Sequence, residues 1–84
     1  MLEQARAALA AVAAALDQAG ASAADVVQTR LSLTDMARWA EAGHAHAELF
    51  GDARPAATMV EVSALIDPRL LIEVEATAYR PREG

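Results

Sequence analysis

The stretch "RPAATMVEVSALIDPRLLIEVEATAY", residues 54–79, contains two strand-like runs on either side of a proline turn. In both runs apolar and β-branched residues alternate with polar ones, which is typical of strands that bury one face. Carboxylates recur at alternate positions, with Glu61 in the first run and Glu73 and Glu75 in the second. Acidic side chains in the middle of strands indicate a sheet face that is not a dry core.

Composition narrows the class of protein. The chain has 84 residues, and we expect a single domain spanning 1–84. It has no cysteine and no lysine, which excludes disulfides, thiol nucleophiles and Schiff-base chemistry. The net charge of −5 argues against nucleic acid as a partner. No apolar run approaches the ~20 residues of a membrane span and nothing resembles a signal peptide, so we expect a cytoplasmic protein without membrane contact.

The periodicity of the chain predicts two helices and three strands. Their order is α-β-α-β-β, which indicates an α/β (α+β) sandwich with a mixed sheet and both helices on one face. The helices are predicted over residues 2–19 and from a Thr34 cap through Phe50, and the strands over residues 25–34, 57–65 and 70–79. The tail "RPREG", residues 80–84, is expected to fray.

Apolar residues at helical spacing predict the buried side of each helix. Leu9, Val12, Ala13 and Leu16 form the stripe of the first helix, and Gly20 follows as a left-handed cap. The second stripe is predicted to contain Met36, Trp39, Ala40, Gly43, Ala47 and Phe50, with Trp39 and Phe50 as core residues.

Alternation assigns the strand residues to two faces of the sheet. The face toward the helices is predicted to contain Val27, Thr29, Leu31, Leu33, Val60, Val62, Ala64, Leu70, Ile72, Val74, Ala76 and Ala78. The opposite face is predicted to contain Gln28, Arg30, Met59, Glu61, Ser63, Leu71, Glu73, Glu75, Thr77 and Tyr79. Such a mixture of apolar and ionisable groups fits a subunit interface with a wet cleft. The alternative is a solvated face on which Arg30 pairs with a glutamate across strands.

Three segments together resemble the RidA (YjgF/UK114) family. The segments "AGASAADVVQTRLSLTDM", "HAELFGDARPAATMVEVSAL" and "LLIEVEATAYR" are similar in order and spacing to the family's "AG…DVVKTTVFLTDM", "FPARSxVEVxxLP" and "VEIEAIA". The resemblance covers nearly all of the chain and implies a chorismate-mutase-like fold and a homotrimer with clefts between subunits. It also implies hydrolysis of reactive 2-imino acids or enamines to 2-keto acids, with release of ammonia and without metal or cofactor. Many members carry an older label as ribonucleases.

Two departures from the family pattern bear on activity. Where the family's "FPARS" has an arginine that holds the substrate carboxylate, this chain has Ala57. Losing such a contact in a desolvated site costs about 2–5 kcal/mol, so ordinary 2-imino acid deaminase activity is expected to be impaired. The sequence begins at the first helix, without the family's N-terminal strands, so it is a shortened member, a fragment or a chain whose start was trimmed. As it stands, we expect the last strand to lack its usual neighbour and to present an open edge.

Three residues are the leading candidates for a site. By resemblance, Glu73 matches the family's cleft glutamate and would order or activate the attacking water; the alternative is an interfacial acid that holds an arginine or backbone amides of the next subunit. Arg30 is a candidate for the missing cation, with a cross-strand ion pair as the alternative. Thr58 offers a hydroxyl beside Ala57, although its alternation matches that of Val60 and favours packing against the helices.

The remaining candidates have weaker signals. Gly43 stands where many relatives have an asparagine that reaches the neighbouring cleft, and its alternative role is close helix–sheet packing. Tyr79 would close the cleft or cover the end of the sheet. His44 and His46 lie about 200° apart around a helix, so they cannot chelate one ion, and we expect both at a surface or interface. No metal site and no cofactor are predicted.

Two hypotheses about function follow. The first is a RidA-like hydrolase, impaired by Ala57, that acts on or binds a small imine or 2-keto-acid-like metabolite in inter-subunit clefts. The second is a non-catalytic homo-oligomer that binds a metabolite or a partner protein in the same clefts.

Overall fold

The computed structural model describes residues 1–81 and confirms the predicted order of helices and strands. The last part of the tail that we expected to fray, residues 82–84, lies outside the described residues. Two short 3₁₀ turns, Ala23–Asp25 and Met36–Arg38, precede the first strand and the second helix. The main elements are α1 (Leu2–Gln18), β1 (Val26–Leu33), α2 (Trp39–Phe50), β2 (Ala56–Glu61) and β3 (Ile72–Ala78).

Helix α1 ends as its sequence predicts. Gly20 has a φ of 78°, in the left-handed region that glycine adopts without strain. The N–H of Gly20 donates to the Asp17 carbonyl at 3.1 Å, and the N–H of Ala21 donates to the Leu16 carbonyl at 2.8 Å. This pair of bonds is the Schellman motif, which satisfies carbonyls that the helix itself leaves unpaired.

The second helix begins differently from the prediction. The capping side chain is that of Asp35, which accepts from the Ala37 N–H at 3.0 Å, so the assignment of Thr34 as the cap was wrong. The chain then makes the 3₁₀ turn Met36–Arg38 before α2 proper starts at Trp39. No helix among residues 1–81 is long and apolar enough to cross a bilayer.

The sheet has the order β2-β1-β3, with β1 in the centre. β1 and β2 are parallel, which requires a crossover, and α2 supplies it. β1 and β3 are antiparallel, and the connection from β2 to β3 passes to the other side of β1. Within the described residues, β2 and β3 are therefore both edge strands.

One apolar cluster joins both helices to the same face of the sheet, as predicted. Leu31 and Leu33 of β1 are almost fully buried, and Phe50 closes the cluster at the end of α2. Burying side chains of this size contributes about 1.5–3 kcal/mol each. The buried members are Ala5, Leu9, Val26, Leu31, Leu33, Ala42, Ala45, Phe50 and Ile72.

A β-bulge changes the start of β1. Val26 is opposite Ala78 and Gln28 is opposite Thr77, so β1 has an extra residue, Val27, over this step. The bulge turns Val26 into the core, whereas Val27 is 51% exposed. The prediction that Val27 faces the helices was wrong, because it assumed strict alternation along β1, and an inserted residue interrupts that alternation.

The predicted faces of β2 are reversed. Residues that lie side by side in neighbouring strands point to the same side of the sheet, and Met59 is beside the buried Leu31. Met59 packs against the core and Val60 is on the opposite side, so the prediction for both was wrong. Val62 and Ala64, also predicted to face the helices, lie beyond the end of β2.

Glu61 shows why the reversal is tolerated. It is beside Leu33 on the helix-covered side, at the last position of β2, and not on the opposite face as predicted. Its side chain remains exposed, and its Oε1 accepts from the Met36 N–H at 2.9 Å. A carboxylate at the end of a strand can therefore keep its hydration while it binds the start of the 3₁₀ turn.

The buried side of α2 also differs from the predicted stripe. Trp39 is 58% exposed, and Ala40 and Ala47 are exposed with it, whereas Ala42, Ala45 and Phe50 are buried. The core assignment was correct for Phe50 and wrong for Trp39. Alanine-rich helices offer two apolar sides, so hydrophobic spacing alone does not decide which one is buried. Leu70, which was also assigned to the covered face, lies before β3 and is exposed.

Candidate functional site

The sheet face opposite the helices is the surface that brings most of the candidate residues together. We call it the open face, and the register defines it as three rows across β2, β1 and β3. Lateral neighbours share a side of the sheet, so each row lies on the same surface. The rows are Ala56–Gln28–Thr77, Thr58–Arg30–Glu75 and Val60–Ser32–Glu73.

Arg30 lies at the centre of the open face. Thr58 is its neighbour on β2 and Glu75 its neighbour on β3. No salt bridge within 4.0 Å joins Arg30 to an acid in residues 1–81, so the predicted cross-strand ion pair is not formed there. An exposed guanidinium in this position presents planar donors that match a carboxylate.

Glu73 lies one row from Arg30 on the same surface. Its lateral neighbour on β1 is Ser32, and its side chain is exposed. The structure therefore brings together a cation, a carboxylate and the hydroxyl groups of Ser32 and Thr58 on one solvent-facing surface. Such a set is able to bind an anion and orient a water molecule.

Ala57 and Thr58 point to opposite sides of β2. Thr58 lies on the open face beside Arg30, so the prediction that it packs against the helices was wrong. Ala57 is beside Thr29 on the helix-covered side, at the edge of the sheet, where it remains exposed. Arg30 and a side chain at position 57 therefore lie on opposite sides of the sheet.

Tyr79 and Gly43 are not part of this cluster of side chains. Tyr79 follows β3, is 68% exposed, and its N–H donates to the Asp25 carbonyl at 2.9 Å. Gly43 is on α2, and a Cβ there would meet Trp39 at 3.9 Å, with no sheet atom of the described residues within 4 Å. The alternative role of Gly43 in close helix–sheet packing was therefore wrong.

The structure contains a polar pair that sequence reasoning missed. The Thr29 hydroxyl and His46 Nε2 are 2.8 Å apart, and the His46 ring packs on Phe50 with centroids 4.9 Å apart. Burial lowers the pKa of His46, which favours the neutral imidazole. His46 is thus half-buried against the sheet, contrary to the predicted surface position, whereas His44 is exposed as expected.

Thr29 and His46 are residue types that can act as a nucleophile and its base, but the Thr29 hydroxyl is not exposed to solvent. Thr29 is 0% exposed, so its hydroxyl cannot reach a substrate outside the core. The pair satisfies two buried polar groups and positions α2 on β1. A threonine among the helix-facing residues of β1 was the available signal, because a polar residue in an apolar set needs a partner.

The possible metal ligands of the described residues are dispersed. No group of three or more His, Asp or Glu side chains in residues 1–81 is arranged to hold a metal ion. His44 lies 3.9 Å from Glu48, one helical turn away.

Most of this chain is similar in sequence to known proteins. It is 42% identical over 79 residues to the RutC family protein PH0854 of Pyrococcus horikoshii, covering 93% of this chain and 61% of that protein. It is 43% identical over 70 residues to the RutC family protein PYRAB12510 of Pyrococcus abyssi, covering 82% of this chain and 54% of that protein. The chain thus spans somewhat more than half the length of the curated relatives it matches.

Solved structures share the fold. Rv2704 of Mycobacterium tuberculosis, described as a member of the YjgF/YER057c/UK114 family, superposes with a TM-score of 0.89 at 55% identity. That match covers 90% of this chain and 64% of Rv2704. A Pseudomonas aeruginosa protein of unknown function, PA3499, has a TM-score of 0.83 at 36% identity, over 88% of this chain and 54% of that one.

The protein-family model described as Endoribonuclease L-PSP matches residues 1–80 of this chain. This match and the fold agree with the motifs around β1, β2 and β3. The chain therefore belongs to the Endoribonuclease L-PSP family, the YjgF/UK114 or RidA family that its motifs resemble.

Proposed function

We propose that this protein is a homo-oligomer, a trimer by family resemblance, that binds a small imine or 2-keto-acid-like metabolite where the open face of one copy meets another. The observation that carries the proposal is the position of Arg30. It lies at the centre of the open face, without an acid partner among residues 1–81, and beside the hydroxyl of Thr58.

Burial supports a second copy on this surface. A domain of this length buries only roughly 60% of the surface that its unfolded chain exposes. Val60 on the open face is only half-buried, and Val27 in the bulge of β1 is exposed. Covering them would add apolar burial while the ionisable groups line a wet cleft.

The chemistry of the cleft follows from its residues. The Arg30 guanidinium would bind the carboxylate of the metabolite through two N–H groups. Glu73 would accept a proton from a water molecule as that water adds to the imine carbon. Glu73 would pass that proton, and then the proton of the adduct's hydroxyl, to the nitrogen, so that the C–N bond breaks and one imine and one water give one 2-keto acid and one ammonia.

Ala57 favours a second function of another class. The family's arginine is absent at this position, and Arg30 points to the opposite face of the sheet. Without the usual clamp, transition-state binding is expected to be weak, and a non-catalytic oligomer that binds a metabolite or partner protein in the same cleft becomes the alternative.

A titration with pyruvate tests the role of Arg30. We expect Arg30→Ala to weaken pyruvate binding by about tenfold or more, the amount that follows from losing a charge-assisted contact. The matched control is Arg69→Ala, which removes the same charge from an exposed side chain in the β2–β3 connection. Equal affinity in both variants, or no pyruvate binding by the parent protein, would reject the site.

Ammonia release separates the two functions. The parent protein is incubated with freshly generated 2-iminopropionate, and ammonia is measured against buffer. A rate above buffer that falls in Glu73→Gln supports the hydrolase, whereas pyruvate binding without ammonia release supports the non-catalytic binder. Sedimentation equilibrium supplies the third readout, because a compact monomer at micromolar concentration contradicts both functions.

A further inference from the structure

A side chain of α1 holds the start of β3, the strand that carries Glu73. The Leu71 N–H donates to Gln4 Oε1 at 2.7 Å, and Gln4 Nε2 donates to the Arg69 carbonyl at 2.9 Å. We propose that Gln4 is a positioning residue for Glu73 and that it acts through these two backbone contacts. The inference rests on the proposed function, because Glu73 is the proton acceptor in that cleft.

A glutamine side chain suits this position because its amide resembles a peptide group. It has an acceptor oxygen and a donor nitrogen in the same plane, so it can pair with an N–H and a C=O of the same segment. A neighbouring strand makes the same two kinds of contact. Gln4 therefore binds the residues before β3 in the way that a neighbouring strand binds the residues of a ladder.

The backbone groups of Arg69 and Leu71 are all paired. The Arg69 N–H donates to Asp67 Oδ1 at 2.8 Å, and the Leu71 carbonyl accepts from the Thr34 N–H at 3.1 Å. Gln4 supplies the partners of the two remaining groups, the Arg69 carbonyl and the Leu71 N–H. The chain therefore enters β3 in one defined position, and Gln4 accounts for half of the contacts that define it.

Glu73 is close enough to this segment to depend on it. It is the second residue of β3, and the ladder with β1 ends at Ile72. The ends of strands open more readily than their centres, because fewer contacts hold them. A slip by one residue would turn Glu73 toward the core. Fixing Leu71 therefore keeps Glu73 in register, one row from Arg30 on the open face.

Arg30 does not depend on the contacts of Gln4. It lies within β1, the central strand, and has paired residues on both β2 and β3. Losing the two Gln4 bonds should therefore displace the carboxylate and leave the cation in place. In the proposed reaction this separates two quantities, because the metabolite still binds to Arg30 while water is activated less well.

Amide hydrogen exchange tests the contact without requiring activity. Gln4→Met keeps the length and the helix propensity of the side chain but removes both bonds. We expect the Glu73 amide to exchange about tenfold faster, which corresponds to about 1.4 kcal/mol, near the net contribution of one hydrogen bond. The Thr77 amide, toward the other end of β3, should be unchanged. Unchanged exchange at Glu73, or an equal increase at Thr77, would overturn the proposal.

Two further variants control the substitution. Gln4→Ala removes the same two bonds, has the best helix propensity, and should give the same increase at Glu73. Gln18→Met makes the first change at an exposed glutamine in the last turn of α1, and exchange at Glu73 should then be that of the parent. An increase in Gln18→Met as large as that in Gln4→Met would mean that the effect belongs to α1 as a whole, and would contradict the proposal.

The activity assay separates positioning from stability. With 2-iminopropionate, Gln4→Met should lower the maximal rate of ammonia release about tenfold, while pyruvate affinity stays that of the parent. Unchanged ammonia release, or a parallel loss of rate and affinity, would mean that Gln4 does not position Glu73. A parent that releases no ammonia would reject the proposed hydrolase, and exchange at the Glu73 amide would then decide the role of Gln4 by itself.

Discussion

The two faces of the sheet come from the same strands but perform different tasks. Along β1, Leu31 and Leu33 point into the core, whereas Arg30 and Ser32, which alternate with them, point away from the helices. The covered face holds buried apolar groups and one satisfied polar pair, and the open face holds a cation, acids and hydroxyls. The side chains that stabilise the fold therefore lie mainly on the covered face. Side chains on the open face can change with little effect on stability.

The largest expected effect tests the covered face. We expect Leu31→Ala to lower the free energy of unfolding by about 2–5 kcal/mol, because it leaves a cavity at a residue that is 1% exposed. This is a large part of the about 4–13 kcal/mol expected for a domain of this size. Val60→Ala, on the open face, is the matched control and should change the same quantity much less. Urea unfolding measures both, and equal losses would mean that the two faces do not differ.

The buried polar pair is the next test. Thr29→Val keeps the shape of the side chain but leaves His46 without its hydroxyl partner, which should cost about 1–3 kcal/mol. Thr58→Val makes the same chemical change on the open face, where water replaces the hydroxyl, and should be close to neutral. If both variants unfold at the same urea concentration, the hydrogen bond does not contribute to stability.

The pH dependence of stability should report on His46. Burial lowers its pKa in the folded chain, so the unfolded chain binds more protons as the pH falls. The contribution of His46 is present above its unfolded pKa, about 6.5, and is lost as the pH falls below that value through the lower folded pKa. Urea midpoints at pH 7.5 and 5.5 should differ in the parent and differ less in His46→Gln.

His44→Gln is the control for this titration. His44 is exposed and lies 3.9 Å from Glu48, so replacing it leaves the buried side of His46 unchanged. The loss of stability between the two pH values should persist in His44→Gln. The paired carboxylates do not interfere, because the pKa of Glu41, Glu48 and Asp67 is lowered from an already acidic value.

The smallest effect is expected for the ion pair between the helices. The Arg6 guanidinium and the Glu48 carboxylate form two hydrogen bonds of 2.9 Å on the outer surface. Both side chains are about half exposed, so solvent and salt screen the pair. A double-mutant cycle with Arg6→Ala and Glu48→Ala should give a coupling that is weak at low salt and disappears at high salt. A coupling that survives high salt would show that the helix surface contributes more than expected.

The fold and the site were predictable to different degrees. The order of elements, the stripe and cap of α1, and the faces of β3 followed from local periodicity, and Arg30 and Glu73 were correctly placed on one surface. The reversed faces of β2 were missed because Val60 and Met59 are both apolar, and the exposure of Trp39 was missed because α2 has two apolar sides. The Thr29–His46 pair was missed because its members lie on different elements.

The sequence by itself determined which segments are helices and strands, that α1 ends shortly before Gly20, and which family the motifs of β1, β2 and β3 indicate. These properties depend on neighbours in the chain, which the sequence states directly. Only the tertiary structure decided the bulge at Val27, the side to which Thr58 points, and the pairing of Thr29 with His46. These depend on the register between strands and on which side of the sheet the helices cover, and both are settled by burial summed over the whole chain.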